Sequence, residues 1–242
     1  MENIKFSKCN LEASQISLGC MRIAELNIQE ISKLVNTALD EGINFFDHAD
    51  IYGDYTTESD FGKAFKNSTV KREDIQLISK CGIQYVGKSR PNNTVKHYQY
   101  DSSYIIYSAE KSIKDLNAEY LDLFLLHRPS PLMHPDEIRE GIEKLLNDGK
   151  IKSFGVSNFS NGQTDLISTS SKVSANQIQF SLSHNTPLFD STLDYMMINN
   201  IIPMSWSPLG SFFKNQNDNK KGESNDMQYI RLKKRRIYIA IK

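Results

Sequence analysis

The chain has 242 residues, of which 39% are hydrophobic and 24% are charged, a composition typical of a globular protein. Lysine plus arginine number 29, as do aspartate plus glutamate, so the net charge indicates neither a nucleic acid nor a membrane as a partner. No apolar run approaches the roughly 20 residues of a membrane helix, and no charged leader precedes an apolar core at the amino terminus. The three cysteines are isolated and lack metal-ligand spacing, which favours the reducing cytoplasm.

Short apolar runs alternate with segments of helical periodicity along most of the chain. Residues 4–15 are irregular and are interpreted as a small hairpin. Seven strands are then predicted at residues 16–21, 44–53, 75–81, 121–127, 152–158, 175–180 and 202–207, the second of them turning polar at its carboxyl end. Helices are predicted between them at residues 27–42, 58–66, 103–116, 135–149, 160–171 and 191–199. This alternation predicts an α/β protein, a (β/α)8 TIM-type barrel with right-handed crossovers.

Individual residues specify several helix ends and faces. Asn27 and Glu30 form a predicted capping box, and Pro135 suits the first position of a helix. The third predicted helix is expected to bury Ile106, Ala109, Ile113 and Leu116, and the fourth to bury Ile138, Ile142, Leu145 and Leu146.

Two parts of the chain depart from the regular alternation. Residues 82–101 have no clear period and are interpreted as a loop over the carboxyl face of the barrel. After Gly210 the periodicity fails, and residues 236–241 are only a weak candidate for a last strand or helix. We therefore predict a barrel domain at residues 1–210, incomplete at its eighth strand and helix, and an atypical polar and basic tail at residues 211–242.

Polar side chains stand at the carboxyl ends of the predicted strands, where ligands bind in this architecture. They are Asp47, Lys80, His127, Asn158, Gln177 and Ser207, and Tyr52 lies in the loop after the second strand. A lysine cation beside a tyrosine favours the phenolate and would bring Tyr52 towards the range in which it exchanges a proton. His127 would be a second donor to the same substrate oxygen.

Each of these residues also has a purely structural interpretation. A strand-end histidine such as His127 is commonly structural, and Asp47 and Lys80 alone would make an ordinary ion pair. The side-chain amides of Asn158 and Gln177 would form hydrogen bonds with backbone groups at the barrel rim. Four candidate groups on three strand ends and one adjoining loop favour a catalytic site over these alternatives. A metal site is not expected, because the histidines show no ligand spacing, and His48 is expected to face the helix layer.

Six short motifs resemble those of the aldo-keto reductase family. They are FDHADIYG at residues 46–53, SKC at 79–81, LHRP at 126–129, GVSNF at 155–159, NQ at 176–177 and WSPLG at 206–210. They occur in the family's order and spacing within residues 1–210. The chain is most similar to the bacterial oxidoreductases with a long loop after strand three, and more distantly to the β-subunits of potassium channels.

The resemblance implies an NADPH-dependent enzyme that reduces small aldehydes or ketones to alcohols. The implied catalytic tetrad is Asp47, Tyr52, Lys80 and His127. Tyr52 would donate the proton to the carbonyl oxygen, and Lys80, held by Asp47, would lower the pKa of this phenol. His127 would orient the carbonyl.

The resemblance also implies a set of residues that hold NADP(H). They are Gly19, Met21, Asp47, Ser157, Asn158, Gln177, Trp206, Ser207, Pro208 and Leu209. Ser157, Asn158 and Gln177 would hold the carboxamide, and the Trp206 ring would stack on the nicotinamide. The residues from Ser207 to Leu209 would begin the loop over the pyrophosphate.

The chain departs from the family's pattern at its carboxyl end. In the family, the loop and helix after strand eight supply basic residues for the adenosine 2′-phosphate, and no motif after Gly210 matches them. The basic run at residues 233–236 is not assigned this role. Each lost charge-assisted hydrogen bond would cost about 1.5–3 kcal/mol of cofactor binding. The alternatives are therefore a non-catalytic nicotinamide-nucleotide-binding or regulatory protein on the same fold, or an inactive truncated product. The sequence does not determine the oligomeric state.

Overall fold

A computed structural model describes residues 1–66 and 68–210. The chain begins with an antiparallel hairpin in which β1 (Asn3–Lys5) pairs with β2 (Glu12–Ser14), which confirms the hairpin predicted for residues 4–15. The hairpin is tied to the main sheet by two hydrogen bonds. Ser14 N donates to Asn44 Oδ1 at 2.8 Å, and Asn44 N donates to Ser14 Oγ at 3.1 Å.

The main sheet has seven parallel strands among the described residues. The first three are β3 (Ser17–Gly19), β4 (Phe45–Asp47) and β5 (Gln76–Cys81). A short antiparallel hairpin, β6 (Ile83–Gln84) with β7 (His97–Tyr98), precedes β8 (Leu123–Leu126), β9 (Phe154–Ser157), β10 (Ala175–Gln179) and β11 (Ile202–Trp206). Each main-sheet strand pairs with the next one along the chain, in the order β3-β4-β5-β8-β9-β10-β11. This is the strand order of the predicted (β/α)8 barrel, whose expected eighth strand lies outside the described residues.

Helices lie between the strands as the periodicity predicted. They are α1 (Ile28–Asp40), α2 (Thr57–Lys66), α3 (Ser102–Asp115), α4 (Pro135–Asn147), α5 (Asn161–Ser168) and α6 (Thr192–Ile198). The capping box predicted for α1 is present, since Asn27 Oδ1 accepts from Glu30 N at 3.0 Å and Glu30 Oε2 accepts from Asn27 N at 2.8 Å. Ser160 and Gln163 form a second capping box at the start of α5. Pro135 is the first residue of α4, as predicted.

Alternate residues of the strands pack into two separate apolar layers. In β8, Phe124 faces the layer under the helices, whereas Leu125 faces the layer inside the curved sheet, and both are fully buried. This two-sided burial explains why the strand is apolar throughout. The amino-terminal hairpin contributes Phe6 to the inner layer, where its ring packs edge-on against Phe45 at 6.2 Å. Phe45 begins β4, so the hairpin covers the inner layer at the amino-terminal end of the strands.

Three local predictions differ from the structure. Residues 82–101, interpreted as a plain loop, contain the hairpin β6–β7, whose two-residue strands are too short to leave a periodic signal. Ile106 is only half-buried because its neighbour Ile105 takes the inward position on α3. Leu146 is 39% exposed because the buried face of α4 consists of Ile138, Gly141, Ile142 and Leu145. The inward face of each helix is therefore shifted by part of a turn from the predicted one, although the other predicted residues are buried as expected: Ala109, Ile113 and Leu116 on α3, and Ile138, Ile142 and Leu145 on α4.

Some regions lie outside the predicted pattern or outside the described structure. A 3-10 helix, Cys20–Glu25, follows β3 and was not predicted. The tail at residues 211–242 lies outside the described residues, and so do its weak strand or helix candidate at 236–241 and its basic run at 233–236. Within residues 1–66 and 68–210, no helix is both long enough and apolar enough to cross a membrane.

Candidate active site

Asp47 and Lys80 meet at the carboxyl ends of two adjacent strands. Asp47 is the last residue of β4, and Lys80 lies near the end of β5 with its side chain fully buried. Lys80 Nζ donates to Asp47 Oδ1 at 2.6 Å and to the backbone oxygen of His48 at 2.8 Å. It also contacts the Tyr52 hydroxyl at 3.1 Å. The three donors of the ammonium thus have three partners, which a buried charge requires.

Tyr52 lies at the start of a turn that is fixed by hydrogen bonds to the segment after β5. Asp54 and Tyr55 have φ values of +58° and +67°, a region that costs non-glycine residues about 1–3 kcal/mol each. The Tyr55 hydroxyl donates to the backbone oxygen of Ile83 at 3.3 Å and accepts from Tyr85 N at 3.3 Å. The segment that follows β5 therefore clamps the turn that positions Tyr52.

His127 lies directly after β8, opposite Tyr52. Its backbone N donates to the backbone oxygen of Cys81 at 2.8 Å, which extends the ladder between β5 and β8. The imidazole stands edge-on to the Tyr52 ring, with the centroids 5.9 Å apart. Its Nδ1 is buried and has no hydrogen-bond partner within residues 1–66 and 68–210. The structure thus gathers all four residues of the predicted tetrad in one cluster.

Burial and neighbouring charges set the protonation of this cluster. Burial lowers the pKa of Lys80, but Asp47 and Tyr52 raise it further, so the net pKa is above its ordinary value and the ammonium stays charged. Burial raises the pKa of Tyr52, and Lys80 lowers it by less. The expected net lowering of the Tyr52 pKa is therefore wrong, and the phenol keeps its proton at neutral pH. Burial, followed by cations led by Lys80, lowers the pKa of His127 well below its ordinary value, so the imidazole is neutral.

A chain of polar contacts continues from Asp47 to β11. Gln177 Nε2 donates to Asp47 Oδ2 at 3.2 Å. Ser157 Oγ donates to the backbone oxygen of Gln177 at 3.1 Å and accepts from Asn158 Nδ2 at 2.7 Å. Asn158, whose φ is +61°, accepts from the indole N–H of Trp206 at 2.8 Å. Five of the residues predicted to bind a cofactor are therefore connected to the Lys80 cluster.

The other predicted cofactor residues lie at the rim of the strands. They are Gly19, Met21, Ser207, Pro208 and Leu209. Gly19 ends β3 in register with Asp47, and a Cβ added there would meet no atom within 4 Å. The turn after β11 is closed by Gly210 N, which donates to the backbone oxygen of Ser207 at 2.8 Å. In the part of the chain that the structure describes, no side-chain hydrogen bond joins these rim residues to the cluster.

Two further residues of the motifs have aromatic neighbours. Arg128 received no role, yet its guanidinium carbon lies 5.6 Å from the centroid of the Trp206 ring. Its place directly after His127 was the signal that could have found it. His48 packs its ring against Phe61 of α2, with centroids 4.5 Å apart, so it faces the helix layer as expected. Burial lowers the pKa of His48 to about 3, which keeps this ring neutral.

Two further carboxyl groups are buried behind the cluster, and neither was predicted. Glu58 of α2 accepts from Ser79 Oγ at 2.5 Å and from Ser112 Oγ at 2.9 Å. Asp50 accepts from two hydroxyls of α3 at 3.2 Å each. Burial raises the pKa of both carboxyl groups to about 7. Among the described residues, no three histidine, cysteine, aspartate or glutamate side chains converge as a metal site would require.

Comparison with known proteins yields both sequence relatives and a structural neighbour. The uncharacterized oxidoreductase YcsN of Bacillus subtilis (strain 168) is 38% identical over 224 residues, covering 90% of this chain and 74% of YcsN. The 6-dehydroglucose reductase of Agrobacterium fabrum is 34% identical over 215 residues, covering 87% of this chain and 72% of the relative. The structure of a glycerol dehydrogenase from Gluconobacter oxydans has a TM-score of 0.79 and 24% identity, covering 94% of this chain and 74% of its own. This last likeness concerns the fold alone.

A family model extends the match further along the chain than the six motifs do. It is described as the Aldo/keto reductase family and matches residues 15–236, past the last motif at Gly210. The strand order, the relatives and this match agree. The chain belongs to the aldo/keto reductase family.

Proposed function

We propose that this protein reduces aldehydes or ketones to alcohols with NADPH as the hydride donor and Tyr52 as the proton donor. The observation that carries the proposal is the buried Lys80 ammonium, bonded to both Asp47 and the Tyr52 hydroxyl beside His127. A buried ion pair adds little net stability, because desolvation offsets the attraction of the charges. Its position at the strand ends therefore supports a chemical role.

Each member of the cluster has a distinct role in the proposed reaction. Tyr52 carries a proton at neutral pH and would transfer it from its hydroxyl to the carbonyl oxygen. Lys80, 3.1 Å from that hydroxyl, would stabilise the phenolate that remains, and Asp47 keeps the ammonium in place. The neutral imidazole of His127 would orient the carbonyl by a hydrogen bond.

The residues next to this cluster suit a nicotinamide. The amide nitrogen of Gln177 is used by Asp47, but its amide oxygen has no partner among the described residues and can accept from a carboxamide. Trp206 offers a half-buried aromatic face whose orientation is fixed by Asn158. Bound NADPH would supply the hydride from C4 of its nicotinamide. The preference for NADPH over NADH rests on the family resemblance, and 6-dehydroglucose reductase among the relatives supports carbonyl reduction.

The test is NADPH oxidation with a panel of small aldehydes and ketones. Tyr52→Phe should lower kcat/KM by at least about 100-fold, because it removes the proton donor. Tyr107→Phe is the matched control, since Tyr107 is 49% exposed on α3, and it should behave like the wild type. Equal rates for the wild type and Tyr52→Phe would reject the assigned chemistry.

A binding measurement separates this proposal from the regulatory alternative. Trp206 is the only tryptophan of the chain, so its fluorescence reports on the predicted nicotinamide site. Quenching by NADPH without turnover of any carbonyl compound would favour a non-catalytic nucleotide-binding protein. We also propose a cytoplasmic location, supported by the free thiols of all three cysteines, which cell fractionation would test.

A further inference from the structure

One tyrosine fixes the backbone of Arg128 directly after His127. The Tyr100 hydroxyl donates to the Arg128 backbone oxygen, and Arg128 N donates to the same hydroxyl oxygen at 3.2 Å. Tyr100 is itself buried and packs on Gly82, where an added Cβ would lie 2.0 Å from the Tyr100 ring. The segment that carries His127 and Arg128 is therefore held firmly in place.

The Arg128 guanidinium lies beside Trp206 without a carboxylate partner. Its carbon is 5.6 Å from the centroid of the indole ring, and the residue is half-buried. By contrast, the guanidinium of Arg72 pairs with Asp122 at 2.7 Å. Within residues 1–66 and 68–210, the Arg128 side chain makes neither an ion pair nor a hydrogen bond. A half-buried cation therefore stands next to the proposed reaction centre, and none of its donors is used by another described residue.

Positive charge dominates the surroundings of His127. Burial lowers the pKa of His127, and Lys80, Arg128 and Lys96 lower it further. The carboxylate of Asp47 is close by but is already paired with Lys80. A carbonyl compound that binds against His127 therefore enters a positive potential, which favours a substrate with a negative charge.

We propose that Arg128 is a specificity-determining residue that binds a carboxylate of the substrate, so the preferred substrates are small carbonyl compounds with a carboxylate a few bonds from the reacting carbon. This inference rests on the proposed reduction and names its substrate class. A guanidinium matches a carboxylate with two parallel hydrogen bonds, and the Trp206 ring holds the cation by its electron-rich face. A neutral aldehyde of the same length makes neither hydrogen bond.

Matched pairs of substrates test the preference. Glyoxylate is compared with acetaldehyde, and succinic semialdehyde with butyraldehyde, for the wild type, Arg128→Gln, Arg128→Lys and the control Arg139→Gln on α4. In at least one pair the wild type should prefer the acid by about 10- to 100-fold in kcat/KM. Arg128→Gln should remove the preference, Arg128→Lys should restore part of it, and Arg139→Gln should retain it. Turnover of both members of each pair with equal kcat/KM would overturn the inference and leave the proposed function intact.

A binding measurement keeps the test independent of turnover. Succinate, which has no reducible carbonyl, is titrated at constant ionic strength while the fluorescence of Trp206 is recorded. A saturable change should occur in the wild type and Arg139→Gln but not in Arg128→Gln. No saturable change in the wild type, or the same change in Arg128→Gln, would overturn the inference. A third pair of results would also overturn the inference: saturating NADPH abolishes the fluorescence change caused by succinate, and Arg128→Gln binds NADPH more weakly than the wild type does. The guanidinium would then bind the phosphates of the cofactor.

Discussion

Replacing Glu58 with glutamine is expected to stabilise the protein above neutral pH and to change its stability little in mild acid. Glu58 is buried in α2, and its two carboxyl oxygens accept from the hydroxyls of Ser79 and Ser112. Because a hydroxyl can donate or accept, these partners serve a protonated carboxyl group or an amide equally well. The Glu58→Gln variant thus reproduces the protonated side chain without its acidity.

The size of the effect follows from the pKa of Glu58. Burial raises this pKa from 4.5 to about 7, so the folded chain binds the proton more tightly than the unfolded chain does. The resulting stabilisation is complete below about pH 4.5 and is lost as the pH rises from there through about 7. At about 1.4 kcal/mol per pKa unit, the loss is roughly 3 kcal/mol. Asp50, whose pKa burial also raises to about 7, contributes a change of the same sign.

Urea unfolding at about pH 5 and at about pH 8 measures this pH-dependent loss of stability. The free energy of unfolding of the wild type should fall more between these two conditions than that of Glu58→Gln, with the difference approaching roughly 3 kcal/mol. Glu140→Gln removes an exposed acid from α4 and should follow the wild type. If the wild type and Glu58→Gln lose stability in parallel, the buried carboxyl group is not the source of the pH dependence, and the reasoning fails.

Two further substitutions test the clamp on Tyr52 and the packing of the sheet. Tyr55→Phe removes a hydroxyl that bridges two backbone groups, so kcat should fall severalfold while KM for an aldehyde changes little. An unchanged kcat would show that these hydrogen bonds are not needed to position Tyr52. Gly155→Ala would place a Cβ 2.6 Å from the Ala175 backbone oxygen, so urea unfolding should show a loss of about 1–3 kcal/mol. Gly162→Ala, where a Cβ meets no atom within 4 Å, should show no such loss, and equal stability of the two variants would contradict the argument.

Local signals explain why much of the fold could be predicted. Capping boxes act within four residues, and the one at Asn27 was readable because both of its partners are close in sequence. The apolar run of β8 was readable because both of its faces are buried. The order of the strands followed from right-handed crossovers between consecutive parallel strands.

Contacts between distant residues explain what the sequence could not show. Glu58 sits in the first turn of α2, where an acid is favoured by the helix dipole whether or not it is buried. Its hydroxyl partners, Ser79 and Ser112, are 21 and 54 residues away, so nothing local marks it as buried. The inward face of α3 differs from the predicted one for a related reason. Ser112 is buried on this face, but a prediction from apolar periodicity does not count a serine as inward-facing.

In the candidate site, too, some contacts could be predicted from the sequence and others could not. The meeting of Asp47 and Lys80 could be predicted because the carboxyl ends of adjacent parallel strands meet. The direction in which the Tyr52 pKa shifts could not be predicted, because the charge of Lys80 is evident from the sequence but the burial of the phenol is not. Likewise, the contact between Arg128 and Trp206 depends on the geometry of β8 and β11, which are not adjacent in the sheet.

Asn158 is a position of this chain at which few other residues would fit. Its backbone has a φ of +61°, which glycine adopts readily and asparagine tolerates but most other residues do not. Its side chain also donates to Ser157 and accepts from Trp206. Glycine satisfies only the first condition, and aspartate lacks the N–H that Ser157 receives. Few amino acids other than asparagine meet both demands, so the chain tolerates substitution less at this position than at the exposed rim residues, such as Met21 and Leu209.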